Sequence, residues 1–228
     1  MDKYFSWERL WKVIPKLNEY LPVTIKIALI AILLGTVLGI FVAAIRIYKI
    51  PVLSRFFHGY TTVMRGIPFV VLVFLVYFCL PFLAEKLFGV DINNWEKMIF
   101  VEIAYALNQS AFVGEIFRGA FESVSKLQSE AAYSVGMNEI QTFFRIILPQ
   151  AVKVAIPMYG INVVWLFEET SVTYMLGMTD FLGKAKELGS AIGHSLEAYI
   201  YVAFVYTVIS IALKSFFKLV DKKYTFGY

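Results

Sequence analysis

The side chains able to do covalent chemistry are few in this sequence and do not gather. Its one cysteine, Cys79, lies inside an apolar run, and its two histidines, His58 and His194, stand far apart. No disulfide framework or cysteine-based metal site can be assembled from them. Neither a nucleophile–base pair nor a metal cluster is visible, so no catalytic residue and no metal ligand is expected. The carboxylates are more informative. Glu102 and Glu115, with Asn108 and Gln109, interrupt one apolar stretch, and Glu168-Glu169, followed by Thr170-Ser171, interrupt another that runs on past them. A carboxylate in such surroundings is costly unless it meets water, a counter-charge or a substrate. The chemistry on offer is recognition of a passing group, not bond making.

The composition says which elements position these residues. Hydrophobic residues make up 59% of the chain, charged residues only 17%, and the mean hydropathy is +0.69. A soluble domain of this size needs far more polar surface. A net charge of +4, scattered along the chain, does not support nucleic-acid binding. Apolar runs at residues 27–45, 67–84, 98–116, 154–167 and 198–213 approach the roughly 20 residues that a helix needs to cross a bilayer. The second is expected to start earlier, near Phe56. The expected fold is therefore all-α and integral to the membrane, with about five transmembrane helices. Residues 21–220 form one transmembrane domain, preceded by an amphipathic segment at 1–20. There Tyr4, Trp7, Leu10, Trp11 and Ile14 recur at helical spacing, as in a short helix lying in the interface; a frayed terminus is the alternative. No cleavable signal peptide is evident at the start of the chain.

Basic residues give the orientation. Arg46, Lys49 and Arg55 separate the first two runs, Arg118, Lys126 and Arg145 the third and fourth, and Lys214, Lys218, Lys222 and Lys223 follow the last. The positive-inside rule makes these segments cytoplasmic, with the N-terminus outside and the C-terminus inside. Lys3, Arg9, Lys12 and Lys16 count against that assignment, and the other loops favour it.

Two motifs concern packing and docking. Gly35 and Gly39 form a GxxxG pair, which lets helices approach closely. Residues 130–149 carry Glu130, Ala131, Ala132, Gly136 and Pro149 in a segment too short to span the membrane. It reads as a short amphipathic helix, a turn and a second helix, Gly136 permitting a break or a positive φ and Pro149 disfavouring helical geometry at Leu148. Ile140, Phe143, Phe144 and Ile147 are too apolar for a loop exposed only to water. A docking surface and a helix resting on the membrane fit these residues equally well.

The stretch at 130–149 resembles the EAA loop of binding-protein-dependent ABC importer permeases, in the spacing of its Glu, Ala, Ala, Gly, Ile, Leu and Pro. Arg65-Gly66-Ile67-Pro68, Tyr77, Leu80-Pro81, Glu115-Ile116-Phe117-Arg118-Gly119, Gln128, Pro149-Gln150-Ala151 and Thr170-Ser171 are similar to the polar amino acid permease subfamily. The resemblance implies a type I ABC importer permease. In that family Glu130, Ala131, Ala132 and Gly136 would belong to the helix that docks on the ATPase. It implies three partners besides membrane lipid: an ABC ATPase subunit, an extracytoplasmic solute-binding protein, and a second permease subunit in a homo- or heterodimer. It places the chain in a bacterial inner membrane. ATP and Mg would be held by the ATPase and no cofactor by this chain, whose nearest approach to a phosphate loop, ending Gly183-Lys184-Ala185, lacks the required spacing and the Ser or Thr. Two departures, Glu168-Glu169 for Lys-Asp and Ser110-Ala111-Phe112 for Gly-Ala-Tyr, bear on the substrate rather than the class.

The substrate pathway is expected to include Glu168, Glu169, Thr170, Ser171, Arg65 and Asn108. From Ala151 to Glu168 a helix rises roughly 25 Å, past the midplane of a core about 30 Å thick. A carboxylate there meets an amino group or cationic side chain of the substrate, or external water, or Arg65. An ion-driven transporter or channel would share the buried carboxylates but would not need the docking loop.

Overall fold

The computed structural model describes residues 5–192 and 194–225, so Lys3 and Tyr4 lie outside the described residues. The elements are helical throughout: α1 Trp7–Asn18, α2 Leu21–Ile47, α3 Leu53–Gly66, α4 Phe69–Phe88, α5 Lys97–Glu122, α6 Lys126–Ser134, α7 Glu139–Thr142, α8 Leu148–Glu169, α9 Phe181–Ile192 and α10 Leu196–Thr225. A π-helical turn, Phe143–Ile147, joins α7 to α8, and a 3₁₀ segment, Thr170–Leu176, follows α8. Among the described residues, four helical stretches are long and apolar enough to cross a membrane: Leu21–Ile47, Phe69–Phe88, Glu139–Leu176 and Leu196–Tyr224. The fifth expected span, α5, has 26 residues, ample length at about 1.5 Å per residue. Its apolar run is broken by Glu102, Asn108, Gln109, Ser110 and Glu115.

Two expectations about proline are corrected. The second span does not start near Phe56: α3 ends at Gly66, Ile67 is extended (φ −83°, ψ 129°), and α4 begins only after Pro68. Pro68 has no N–H to continue the ladder and drives the residue before it out of the helical region. Leu148, by contrast, stays helical (φ −57°, ψ −47°) although Pro149 follows. The π turn supplies the reason. The Leu148 N–H bonds to the Phe143 carbonyl, five residues back, so the ring enters where the ladder is already widened.

The chain forms two compact units, one of Met1–Leu33, Pro68–Tyr105 and Trp165–Ala212, the other of Leu34–Ile67, Ala106–Val164 and Leu213–Tyr228. In the first, Val13 and Leu17 of α1, Phe181 and Ala185 of α9, and Ala198 and Val202 of α10 make a buried cluster. Arg9 Nε donates to Glu197 Oε1 at 2.7 Å, and the Ser6 N–H donates to the same oxygen at 2.8 Å. These bonds tie the start of α1 to the first turn of α10 while Trp7 and Trp11 remain exposed. In the second unit the GxxxG pair meets α5. A methyl group on Gly35 would collide with Gln109, and one on Gly39 would come within 2.6 Å of Val113 Cβ. Gln109 Nε2 then donates to Asn162 Oδ1 at 2.7 Å, linking α5 to α8.

Candidate functional site

The segment 126–149, in the second unit, is shaped by its own short-range hydrogen bonds. Ser125 caps α6 by accepting from the Leu127 N–H. At the other end Gly136 adopts φ +84°, a left-handed conformation in which glycine avoids the Cβ penalty. The Gly136 N–H donates to the Tyr133 carbonyl at 3.0 Å and the Met137 N–H to the Ala132 carbonyl at 3.1 Å, which satisfies two of the last carbonyls of α6. Asn138 and Gln141 then form a reciprocal capping box, the Gln141 N–H donating to Asn138 Oδ1 at 2.9 Å and the Asn138 N–H to Gln141 Oε1 at 3.1 Å. With the backbone satisfied, the side chains are left to the surface. Glu130 and Ala131 are exposed and Ala132 is buried. Val135 is 78% exposed, Ile140 71% and Phe144 61%. Phe143 stacks on Phe121 at 5.8 Å. Ile140 and Phe144 fall inside the stretch Glu139–Leu176 that is apolar enough to cross a membrane, while Val135, at the end of α6, precedes it.

Glu168 and Glu169, in the first unit, are the last two residues of α8, and the chain tightens into the 3₁₀ segment immediately after them. Glu168 is exposed and Glu169 half-buried. Tyr105 donates its hydroxyl to the Glu169 carbonyl at 2.6 Å, which holds the helix end from α5. Thr170 is fully buried; its Oγ1 donates to the Phe167 carbonyl at 2.6 Å and lies 3.2 Å from the Tyr206 hydroxyl. Ser171 is half-buried. Arg65 and Asn108 belong to the second unit. The Arg65 guanidinium is exposed over the Phe112 ring, 5.4 Å from its centroid. Asn108 is buried and donates from Nδ2 to the Met64 carbonyl at 3.1 Å, capping the end of α3.

Other polar groups were not singled out by the sequence as a site. Arg46 Nη1 donates to Glu115 Oε1 and, at 3.0 Å, to Thr61 Oγ1, while Arg118 donates to Glu115 Oε2 at 2.8 and 2.9 Å and to Glu122 at 2.5 Å. The i, i+3 and i, i+4 spacings of Glu115, Arg118 and Glu122 signal half of this network; nothing in the spacing connects Arg46 to Glu115. Glu102 is buried, and neither carboxylate oxygen has a hydrogen-bond partner among the described residues.

Long apolar helices joined by short capped segments describe an integral membrane protein, and its relatives give the class, a transport subunit. The chain belongs to the family described as binding-protein-dependent transport system inner membrane component, whose model matches residues 7–226. It is 36% identical over 223 residues to the L-cystine transport system permease protein TcyL of Bacillus subtilis (strain 168), covering 98% of this chain and 93% of that protein. It is 31% identical over 208 residues to the glutamate/aspartate import permease protein GltK of Escherichia coli O157:H7, covering 91% and 93%. Among solved structures, the crystal structure of an amino acid ABC transporter with histidines matches with TM-score 0.84 and 26% identity, over 96% of this chain and 99% of that one. The fold is that of a type I ABC importer permease.

Proposed function

We propose that this chain forms the translocation pathway of an ATP-driven amino acid importer and couples that pathway, through residues 126–149, to a separate ATPase. The observation that carries this reading is the loop: short-range bonds at Ser125, Gly136, Met137 and Asn138 shape it while Glu130, Ala131 and Val135 remain exposed ahead of the span that starts at Glu139. Glu130, Ala131, Ala132 and Gly136 belong to the docking helix and its turn, small Ala131 permitting close approach. The relatives named above are permeases for L-cystine and for glutamate and aspartate. These substrates share the α-amino acid zwitterion and differ in side chain, which supports an amino acid as the transported class. Glu168, Glu169 and Ser171 line the path, and at least one of the two carboxylates meets the substrate's ammonium group or a cationic side chain. Thr170 holds the turn that presents them, and Arg65 and Asn108, within the second unit, are pathway residues.

ATP and Mg are bound by the ATPase, a solute-binding protein delivers the substrate at the outer face, and a second permease subunit completes the path. Closure of the ATPases swings the paired helices between outward and inward access. The chain lies in a bacterial inner membrane, its N-terminus outside and its C-terminus cytoplasmic, as the basic residues of its loops indicate.

The test is ATP hydrolysis by the assembled complex in nanodiscs. Gly136→Val and Glu130→Lys should insert normally yet lose stimulation by the loaded receptor; wild-type stimulation in both would overturn the docking assignment. Orientation is tested by a cysteine at position 129 in a Cys79→Ser background. Labelling by an impermeant reagent from outside intact cells would reverse it.

A further inference from the structure

The connection between α2 and α3 builds a cleft that transport leaves unused. Lys49 has φ +50° and Val52 φ +67°. The Leu53 N–H donates to the Pro51 carbonyl at 2.8 Å, closing a three-residue γ-turn on Val52, strained for a β-branched residue. The turned chain lines an open cleft of about 640 Å³ with Arg46, Lys49, Arg55, His58, Arg118 and Glu122 among its walls.

The charges in this cleft do not balance. Arg46 and Arg118 are braced by Glu115, with Glu122 also on Arg118 and His58 Nδ1 3.1 Å from Arg46 Nη2. Lys49 and Arg55 are exposed and form no ion pair among the described residues. Two cations are therefore left facing an open cleft whose other basic groups are already fixed in place, the complement of a phosphate-sized anion. Exposed Val52 lines the same cleft, and exposed Phe56 follows Arg55 directly, with exposed Phe41 across the Phe57 ring. The Phe41 and Phe56 rings both stand edge-on to Phe57, at 6.1 and 5.3 Å. A free phosphate or nucleotide would use the cations and leave this flank bare, whereas a lipid uses both.

We propose that the α2–α3 cleft binds an anionic phospholipid, its phosphate on Lys49 and Arg55 and an acyl chain along Phe41 and Phe56. The basic residues of this connection place it at the cytoplasmic leaflet, where anionic lipids attract basic side chains.

Native mass spectrometry of the full-length protein released from detergent, titrated with phosphatidylglycerol or phosphatidylcholine, tests this. Wild type should retain phosphatidylglycerol in preference to phosphatidylcholine. Lys49→Gln/Arg55→Gln should weaken phosphatidylglycerol about thirty-fold, from the typical contribution of two basic residues near anionic lipid. The control Lys214→Gln/Lys218→Gln, which removes the same charge from α10, should change it little. Equal loss in both pairs would mean generic attraction and overturn the site, as would undiminished binding in the cleft variant. Displacement of the lipid from wild type by inorganic phosphate would identify a free-anion site instead. That competition uses unmodified protein and decides the matter even if a variant misfolds.

Discussion

The loop at 126–149 and the helix end at 168–171 reach their shapes by opposite routes. In the loop every shaping bond is local: Ser125 to Leu127, Met137 to Ala132, and Asn138 with Gln141. At the helix end a local bond, Thr170 to the Phe167 carbonyl, is joined by bonds from far along the chain, Tyr105 to the Glu169 carbonyl and Tyr206 to Thr170. A locally built element keeps its form while its outer face meets a partner. An element held by distant helices follows those helices when they move. That contrast agrees with the roles proposed above for the docking loop and for the helix end.

The largest effect is expected at Gly136. No atom lies within 4 Å of where its Cβ would stand, and its φ is +84°. The penalty for a side chain there is conformational alone, on the order of 1–3 kcal/mol for a bulky residue. Gly136→Val should abolish stimulated ATP hydrolysis. Gly136→Asn, which tolerates left-handed geometry, should keep most of it. Equal loss in both would show that the site needs smallness and not the turn.

At the helix end the expected effects are smaller and unequal. Glu168→Gln and Glu169→Gln should express alike and differ in uptake, measured with radiolabelled substrate, because one carboxylate is exposed and the other half-buried. Wild-type uptake in both would remove the pair from the pathway. Tyr105→Phe deletes the hydroxyl that holds the Glu169 carbonyl. It should lower stability by about 1 kcal/mol, visible as a lower thermal midpoint in detergent, and should leave basal ATP hydrolysis unchanged.

The smallest effect concerns pH. Burial pushes the Asp180 carboxyl above its ordinary range, against the Gly183 N–H that donates to Oδ1 at 2.8 Å. The protonated form is thus the better-folded one. Its contribution is complete below the unfolded value of 3.8 and is lost as pH rises through the raised folded value. Asp180→Asn keeps an acceptor for that N–H and does not titrate. Its thermal midpoint should exceed that of wild type at neutral pH and approach it as pH falls toward 3.8.

The same contrast decides what could be read in the sequence. The turn at Gly136 and the helices around it follow from residues within a few positions of one another, and so were legible. The apolar runs were legible for the same reason, though Pro68 divided one expected helix and Pro149 did not end another. Proline acts on the hydrogen-bond ladder around it, and hydropathy does not report whether that ladder has widened. The Arg46–Glu115 pair joins residues 69 apart in sequence, and the Tyr105 contact joins residues 64 apart. Neither leaves a periodic trace, so the brace behind the basic cleft and the tether on Glu169 emerged only with the fold.

Site-specific photo-crosslinking asks whether residues 126–149 meet the ATPase, as proposed. A photoreactive residue replaces Ala131 in one variant and Glu168 in another, each co-expressed with the ATPase and irradiated in membranes. An adduct of permease and ATPase is expected from position 131 and none from position 168. No adduct from 131 in a complex that still hydrolyses ATP, or equal adducts from both positions, would contradict it.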